Sequence, residues 1–181
     1  MDSIQFIPVQ EEHLEMIRNW RNSEEVAKYM YTNDQITAEQ QIAWYEKIKT
    51  DKSQQHWVIR KESESLGLVS LYSIKPQFKT CYWAYYLGSE ASRGVGIGAK
   101  IEYKLINYVF EEMKFNKLIC EVFVFNESVI KLHEKFGFRR EGYYRQHIIK
   151  NGLYQDVVSL AILRSEWDVI KDHMIKKLIR R

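Results

Sequence analysis

The chain has 181 residues, 45% hydrophobic and 14% aromatic, which is enough apolar material for one domain with a substantial core. Its formal net charge of +3 is too small to predict a nucleic-acid partner, although it suits an anionic ligand such as a phosphorylated cofactor. There is no run of 18 uncharged apolar residues and no signal-peptide pattern, so we expect a cytoplasmic protein without a membrane partner.

The chain is expected to form a single domain over residues 1–181. No repeat, low-complexity tract or linker rich in Pro, Gly or Ser divides it. The two cysteines, Cys81 and Cys120, lie in apolar strand-like runs without the spacing of a metal or redox site. We therefore expect two buried free thiols and no metal.

The first half of the chain predicts a strand, two helices and a run of strands. Ile4–Val9 reads as a strand and is followed by a helix from about Glu11. Thr37 and Gln40 have the spacing of a capping box, which predicts a second helix whose apolar stripe is Ile42, Tyr45 and Ile48. Period-two alternation then predicts an antiparallel meander at Trp57–Arg60, Leu66–Tyr72 and Cys81–Leu87.

The second half alternates helices and strands. Apolar residues at helical spacing predict an amphipathic helix from about Ile97 to Val109, and Leu118–Val124 resembles a strand buried on both faces. The remaining predicted elements are a short helix at Glu127–Lys135, strands near Phe138–Ile149 and Tyr154–Leu163, and a last helix carrying Trp167, Ile170, Met174 and Leu178. The fold class is α+β with a mixed sheet.

A glycine-rich loop precedes the amphipathic helix, with the sequence Ser-Arg-Gly-Val-Gly-Ile-Gly-Ala at residues 92–99. Glycines let the backbone approach a ligand closely, and the first amides of a helix favour an anion. The run also satisfies the dinucleotide fingerprint G-x-G-x-x-[G/A]. Antiparallel strands before the loop, too few βα units after it and no acidic residue ending the next strand argue against a dinucleotide-binding enzyme.

The pattern Arg93-x-x-Gly96-x-Gly98 resembles the pyrophosphate-binding loop of the GCN5-related N-acetyltransferases (GNAT superfamily). Asn126 followed by Leu-His-Glu-Lys-Phe-Gly-Phe at residues 132–138 is similar to the family's second signature, and the order of elements matches along nearly the whole chain. The resemblance implies a GNAT fold, whose mostly antiparallel sheet splays between the strand before the glycine loop and its parallel neighbour. It also implies an enzyme that transfers acetyl from acetyl-coenzyme A to a primary amine.

The family resemblance assigns the cofactor-binding residues. In similar enzymes the pantetheine chain lies in the splayed gap and a main-chain amide of the strand before the loop meets the thioester oxygen. The implied cofactor contacts are Tyr86, Leu87, Arg93, Gly94, Val95, Gly96, Ile97, Gly98 and Asn126. Asn126 has an alternative role as the cap of the helix that starts at residue 127.

Two residues are predicted to move protons. Glu121 alternates onto one face of its strand with Ile119 and Phe123, and a Glu at this position in similar enzymes accepts the amine's proton, commonly through water. A structural ion pair is the alternative for Glu121. His133 stands where many family members carry a general-acid Tyr; an imidazolium, with a pKa of about 6.5, can protonate a thiolate, but a structural histidine is the alternative.

The acceptor is predicted from a narrower resemblance. The segments Arg-Asn-Trp-Arg-Asn at 18–22, Tyr29-Met30 and Trp44 look like the nucleotide-sugar 4-amino N-acetyltransferases of pseudaminic acid biosynthesis, as do Glu141-Gly142 and Asp156-Val157-Val158. Such an acceptor, a UDP-4-amino-4,6-dideoxy sugar, needs cations for its diphosphate and flat side chains for its base. The predicted acceptor-binding residues are Arg21, Tyr31, Trp44, Tyr72 and Trp83, although aromatic residues in a helix also pack into the core.

Three alternatives stay open from the sequence. A ribosomal-protein N-terminal acetyltransferase or a polyamine acetyltransferase shares the same fold, although the second predicted helix has no dense carboxylate cluster for a polycation. The missing general-acid Tyr also allows a non-catalytic domain that senses acetyl-coenzyme A. Dimers are frequent among similar enzymes, and a homodimer is left open.

Overall fold

The computed structural model describes residues 4–88 and 96–179. Within these residues the chain forms two compact units, one made of residues 4–74 with 84–88 and the other of residues 75–83 with 96–179. Cys81 and Cys120 are buried free thiols, as expected. No helix in the described ranges has the length and apolar character needed to cross a membrane. The assignment of residues 1–181 to one domain stays a prediction.

The first unit begins with a strand and three helices. They are β1 (Ile4–Pro8), α1 (Leu14–Asn22), α2 (Glu24–Ala27) and α3 (Ala38–Thr50), followed by β2 (Gln55–Lys61) and β3 (Glu64–Lys75). A single 3-10 turn, Glu11–His13, leads into α1 and accounts for the predicted start near Glu11. The sequence pattern missed α2 because four residues are too few to show a helical period.

The capping box of α3 is confirmed. The Thr37 hydroxyl accepts a hydrogen bond from the Gln40 amide at 3.2 Å, and the Gln40 side chain accepts one from the Thr37 amide at 2.9 Å. The predicted apolar stripe is wrong at one position, because Ile42 is 54% exposed whereas Gln41 is buried. The inward face runs through Gln41, Trp44, Tyr45 and Ile48, which are spaced i, i+3, i+4 and i+7.

The second unit carries the remaining elements. They are α4 (Ile97–Asn107), which continues as a π-helical turn through Tyr108–Glu112, then β5 (Lys117–Phe123), α5 (Glu127–Lys135), β6 (Arg139–Lys150), β7 (Leu153–Leu163) and α6 (Arg164–Ile179). Strand β4 (Thr80–Leu87) is shared, since its first four residues belong to the second unit and the rest to the first.

The strands follow the order β1-β2-β3-β4-β5-β7-β6. The pairs β1–β2, β2–β3, β5–β7 and β6–β7 are antiparallel, and β4–β5 is parallel. The parallel register joins Thr80–Tyr82 to Lys117–Ile119, although β4 continues to Leu87 and β5 to Phe123. This short parallel pairing and the mixed, mostly antiparallel sheet confirm the predicted α+β GNAT architecture.

Strand β5 is not buried equally on its two faces, contrary to the expectation from its apolar sequence. Leu118, Cys120 and Val122 are at most 8% exposed, whereas the alternate residues Lys117, Ile119 and Glu121 are half-buried. The apolar run therefore hides an alternation over residues 117–122, because residues i and i+2 of a strand share one face; it ends at Phe123, which shares the face of Glu121 and is 2% exposed. The half-buried face lowers the desolvation cost of a carboxylate at Glu121.

A close backbone approach occurs in the first unit, between β3 and the end of β4. A Cβ atom at Gly67 would lie 2.0 Å from the carbonyl oxygen of Tyr86 and 2.9 Å from the Cα atom of Leu87. The amide of Gly88 donates a hydrogen bond to the Leu66 carbonyl at 2.8 Å. Only glycine at residue 67 permits this approach, since the obstacle is backbone that cannot rotate away.

We expect Gly67→Ala to lower the free energy of unfolding by about 2 kcal/mol or more, because the added methyl group forces the two backbones apart. Urea denaturation measures the change. Gly152→Asn is the control, since a Cβ at Gly152 meets nothing within 4 Å and asparagine tolerates its φ of +75°. Equal unfolding midpoints for the two variants would contradict the close approach.

Candidate active site

The N-terminus of α4 is the described part of the predicted cofactor loop. Gly96 has a φ of +86° and precedes the first helical residue, Ile97. The first amides of the helix, including those of Ile97 and Gly98, have no carbonyl partner within the helix, and no acidic residue lies in its first turn. This arrangement suits the pyrophosphate of coenzyme A. Arg93, Gly94 and Val95 lie outside the described residues.

The end of β4, in the first unit, carries two further predicted cofactor contacts, Tyr86 and Leu87. Both are half-buried, and the Tyr86 ring packs against the cluster that Val9, Leu14 and Ile17 help to form. The Tyr86 hydroxyl is buried and has no hydrogen-bond partner within residues 4–88 and 96–179. Burial raises the pKa of Tyr86, and the nearby Arg21 guanidinium lowers it by a smaller amount. The hydroxyl therefore stays protonated and available as a donor.

Arg21 is half-buried near the end of α1. In the part of the chain that the structure describes, the Arg21 guanidinium donates one long hydrogen bond, 3.5 Å, to the Thr32 hydroxyl, and it interacts electrostatically with the Tyr86 phenol. Burial lowers the pKa of Arg21, and the Tyr86 phenol opposes this shift. A half-buried guanidinium without a carboxylate partner in these residues is suited to an external anion.

The other predicted acceptor contacts differ in exposure. Tyr31 is 38% exposed and Tyr72 is half-buried on β3. Trp44 packs on the core cluster of the first unit, with its ring edge-on to His56 at a centroid distance of 5.1 Å. Trp83 is 1% exposed in the second unit. The contacts of Trp44 and Trp83 are those of core residues, and all four acceptor roles stay predictions.

The structure joins His133 to Glu102, a residue that the sequence reasoning missed. The Nδ1 atom of His133 lies 2.9 Å from a carboxylate oxygen of Glu102, and both side chains are buried. The Cys120 thiol hydrogen-bonds the same imidazole, and the rings of Trp83 and Phe138 lie 5.2 and 5.3 Å from it. A signal was present in the sequence, because Glu102 interrupts the otherwise apolar inner face of α4.

Burial and mutual contact shift the pKa values of both Glu102 and His133. Burial lowers the pKa of His133, but the Glu102 carboxylate and Cys120 raise it, and the pKa rises to about 10. For the carboxyl group of Glu102, burial has the opposite effect and raises the pKa. Whichever partner carries the proton, the hydrogen bond is retained. The imidazole is thus engaged in the interior, and its role as the general acid stays a prediction.

Glu121 and Asn126 lie on β5 and at the start of α5. Glu121 is half-buried and stands opposite Ser159 of β7. Asn126 occupies the N-cap position, but within residues 4–88 and 96–179 its side chain makes no capping hydrogen bond and accepts a long one, 3.4 Å, from Ser128. The capping alternative is therefore not supported by a side-chain bond, and the cofactor contact of Asn126 stays a prediction. The base role of Glu121 stays a prediction.

Comparison with known proteins identifies the family. The acetyltransferase (GNAT) domain model matches residues 4–139. The chain belongs to the GNAT acetyltransferase family. It is an N-acetyltransferase with acetyl-coenzyme A as co-substrate, and no group of potential metal ligands occurs within the described ranges.

Two of three relatives of this GNAT acetyltransferase have an acceptor in their names, and the two acceptors differ. The putative ribosomal N-acetyltransferase YdaF of Bacillus subtilis is 31% identical over 56% of this chain and 55% of its own length. Spermidine N(1)-acetyltransferase of Vibrio cholerae is 25% identical over 85% of this chain and 89% of its own. Acetyltransferase PseH of Campylobacter jejuni is 25% identical over 74% of this chain and 81% of its own length.

The fold is shared with a solved spermidine N-acetyltransferase from Vibrio cholerae, in complex with CoA and spermine. The TM-score is 0.86 at 22% identity, over 91% of this chain and 97% of the other. At this identity the likeness establishes the GNAT fold and leaves the acceptor to be inferred from individual side chains.

The buried pair predicts how stability changes with pH. His133 has a folded pKa above its ordinary value of 6.5, so its stabilisation is complete below about pH 6.5 and is lost as the pH rises toward 10. We expect the free energy of unfolding to fall by up to about 1.4 kcal/mol per pH unit in this window, and Glu102→Gln to flatten the slope. Urea unfolding at a series of pH values measures this slope for the wild type and the variant.

Glu134→Gln is the control for Glu102→Gln, because Glu134 also lies in this unit and binds a cation, Arg140, but at the surface. Its pH slope should match that of the wild type. A slope unchanged by Glu102→Gln would show that the pair takes up no proton on folding.

Proposed function

We propose that this enzyme acetylates the 4-amino group of a UDP-linked 4-amino-4,6-dideoxy sugar, as in pseudaminic acid biosynthesis. The observation that carries the proposal is the half-buried Arg21 guanidinium beside the unpartnered Tyr86 hydroxyl, described above within residues 4–88 and 96–179. A guanidinium and a phenol donor together suit the diphosphate of such an acceptor. The similarity to PseH agrees with this choice.

The acceptor amine attacks the acetyl thioester only when it is unprotonated. In the proposed mechanism Glu121 accepts the proton of the amine, directly or through one water, and the acetyl C–S bond breaks as the C–N bond forms. Helix amides at Ile97 and Gly98 hold the pyrophosphate, and Asn126 contacts the cofactor. Acetyl-coenzyme A supplies the activated acetyl group and leaves as the thiol, for which His133 is the predicted proton donor.

Spermidine is the second candidate acceptor, because the Vibrio cholerae spermidine acetyltransferase matches a longer part of this chain than PseH does. A polycation would place positive charge near Arg21 if it occupied the same position, which is electrostatically unfavourable. The charge of Arg21 therefore favours the sugar over the polyamine. A cytoplasmic location and a homodimer stay predictions.

The acceptor is tested by coenzyme A release with three amines in parallel: the UDP-4-amino sugar, spermidine and an N-terminal ribosomal peptide. We expect selective turnover of the sugar. We also expect Arg21→Gln to raise its KM by roughly 10- to 100-fold, because charge-assisted hydrogen bonds are lost, while the KM for acetyl-coenzyme A is unchanged.

Arg18→Gln is the matched control, since Arg18 lies one turn earlier on the same helix. Preference for spermidine or the peptide would replace the sugar proposal. Cofactor binding without turnover of any amine would instead favour a sensor.

Glu121→Gln tests the proposed base. The amide cannot accept the amine's proton at neutral pH, so we expect kcat to fall by about 100-fold or more while the KM for acetyl-coenzyme A stays unchanged. Glu141→Gln removes a carboxylate from β6, where it binds Lys117 at 2.6 Å, and controls for the loss of negative charge. Equal losses in the two variants would indicate a general electrostatic effect rather than proton transfer.

A further inference from the structure

The antiparallel hairpin of β6 and β7 contains an irregularity that the proposed mechanism does not use. The register shifts between Tyr144 and Ile148, and Gln146 in this bulge has a φ of +51°. Asp156 of β7 holds the bulge, accepting hydrogen bonds from the Gln146 amide at 2.7 Å and from the Tyr143 hydroxyl at 2.6 Å. These two hydrogen bonds fix the backbone of β6 next to Tyr144, and a bulge changes the direction of nearby side chains.

Three strands of the second unit align a glycine with the predicted base. Glu121 pairs with Ser159, and Ser159 pairs with Gly142. Directly opposed residues on neighbouring strands point to the same face of a sheet. The face that carries Glu121 therefore has no side chain at Gly142, two strands away.

The ring of Tyr144 occupies the space that Gly142 leaves open. A Cβ atom at Gly142 would lie 3.0 Å from Cε1, 3.2 Å from Cζ and 3.3 Å from the hydroxyl oxygen of Tyr144. The phenol is thus folded back over Gly142 toward the row that contains Glu121, while 37% of Tyr144 stays exposed.

Tyr82 adds a second phenol to this face, since it pairs with Ile119, two residues before Glu121. Burial raises the pKa of Tyr82, and the charges of Glu121 and Tyr144 raise it further. Tyr82 therefore lies within electrostatic reach of both Glu121 and Tyr144. The face that carries the predicted base thus also carries two phenols, Tyr82 on β4 and Tyr144 on β6.

We propose that Tyr144 is an acceptor-binding residue whose hydroxyl, positioned over Gly142, hydrogen-bonds a sugar hydroxyl beside Glu121. The inference rests on the proposed function and names a residue that was absent from the predicted site. A neutral phenol can both donate to and accept from a sugar hydroxyl, so it orients a polyhydroxylated acceptor without adding charge next to the base. A larger residue at position 142 would push the ring aside, slightly for alanine and further for a branched side chain such as valine.

Two variants test this inference, with initial rates measured against the UDP-4-amino sugar and acetyl-coenzyme A. Tyr144→Phe keeps the ring and removes the hydroxyl, and Gly142→Val displaces the ring. We expect each to raise the KM for the sugar by about tenfold, the effect of one lost hydrogen bond, without changing the KM for acetyl-coenzyme A. Tyr154→Phe is the matched control, because Tyr154 is an exposed tyrosine on β7 that is 61% accessible.

The outcomes separate this inference from the proposed function. If the wild type acetylates the sugar and Tyr144→Phe leaves its KM unchanged, the inference fails while the function stands. If the wild type does not acetylate the sugar, both fail. The Gly142→Val result counts only if this variant has a thermal unfolding midpoint close to that of the wild type. If the variant is destabilised, the KM of Tyr144→Phe alone tests the inference.

Discussion

The hydrogen bond between Glu102 and His133 constrains the elements around the cofactor. Glu102 lies on α4, the helix whose first amides are suited to the pyrophosphate, and His133 lies on α5, the helix that Asn126 begins. Breaking such a pair would leave a polar group in an apolar interior, which costs far more than a surface ion pair. The hydrogen bond thereby joins the middle of α4 to the last turn of α5.

Strand β5 separates this interior pair from the reacting groups. Its buried face directs Cys120 toward the imidazole, while its half-buried face presents Glu121 beside Ser159. A two-residue period is enough to assign neighbouring residues to opposite environments. One face thus packs against the buried pair, and the other carries the carboxylate for which we propose the base role.

The choice of acceptor depends on a few side chains because the GNAT fold itself is shared by enzymes named for polyamines, proteins and other amines. In the first unit, the half-buried Arg21 has no carboxylate partner among the described residues, which is why we propose an anionic acceptor. In the second unit, the strand registers place Tyr82, Ser159 and Gly142 on the face that carries Glu121, which is the basis of the contact proposed for Tyr144.

The sequence by itself determined most of the element order, the capping box of α3 and the family, because these depend on local periodicity and on residues close together in the chain, whereas the cofactor contacts of the glycine loop stay predictions. It did not determine which face of α3 or β5 is buried. Ile42, which was predicted to lie on the apolar face, is exposed, Gln41 is buried, and Glu121 is half-buried. It also missed Glu102 beside His133 and Tyr144 over Gly142. Those contacts depend on pairing between elements distant in sequence, and only the tertiary structure decides which side chains then share one environment.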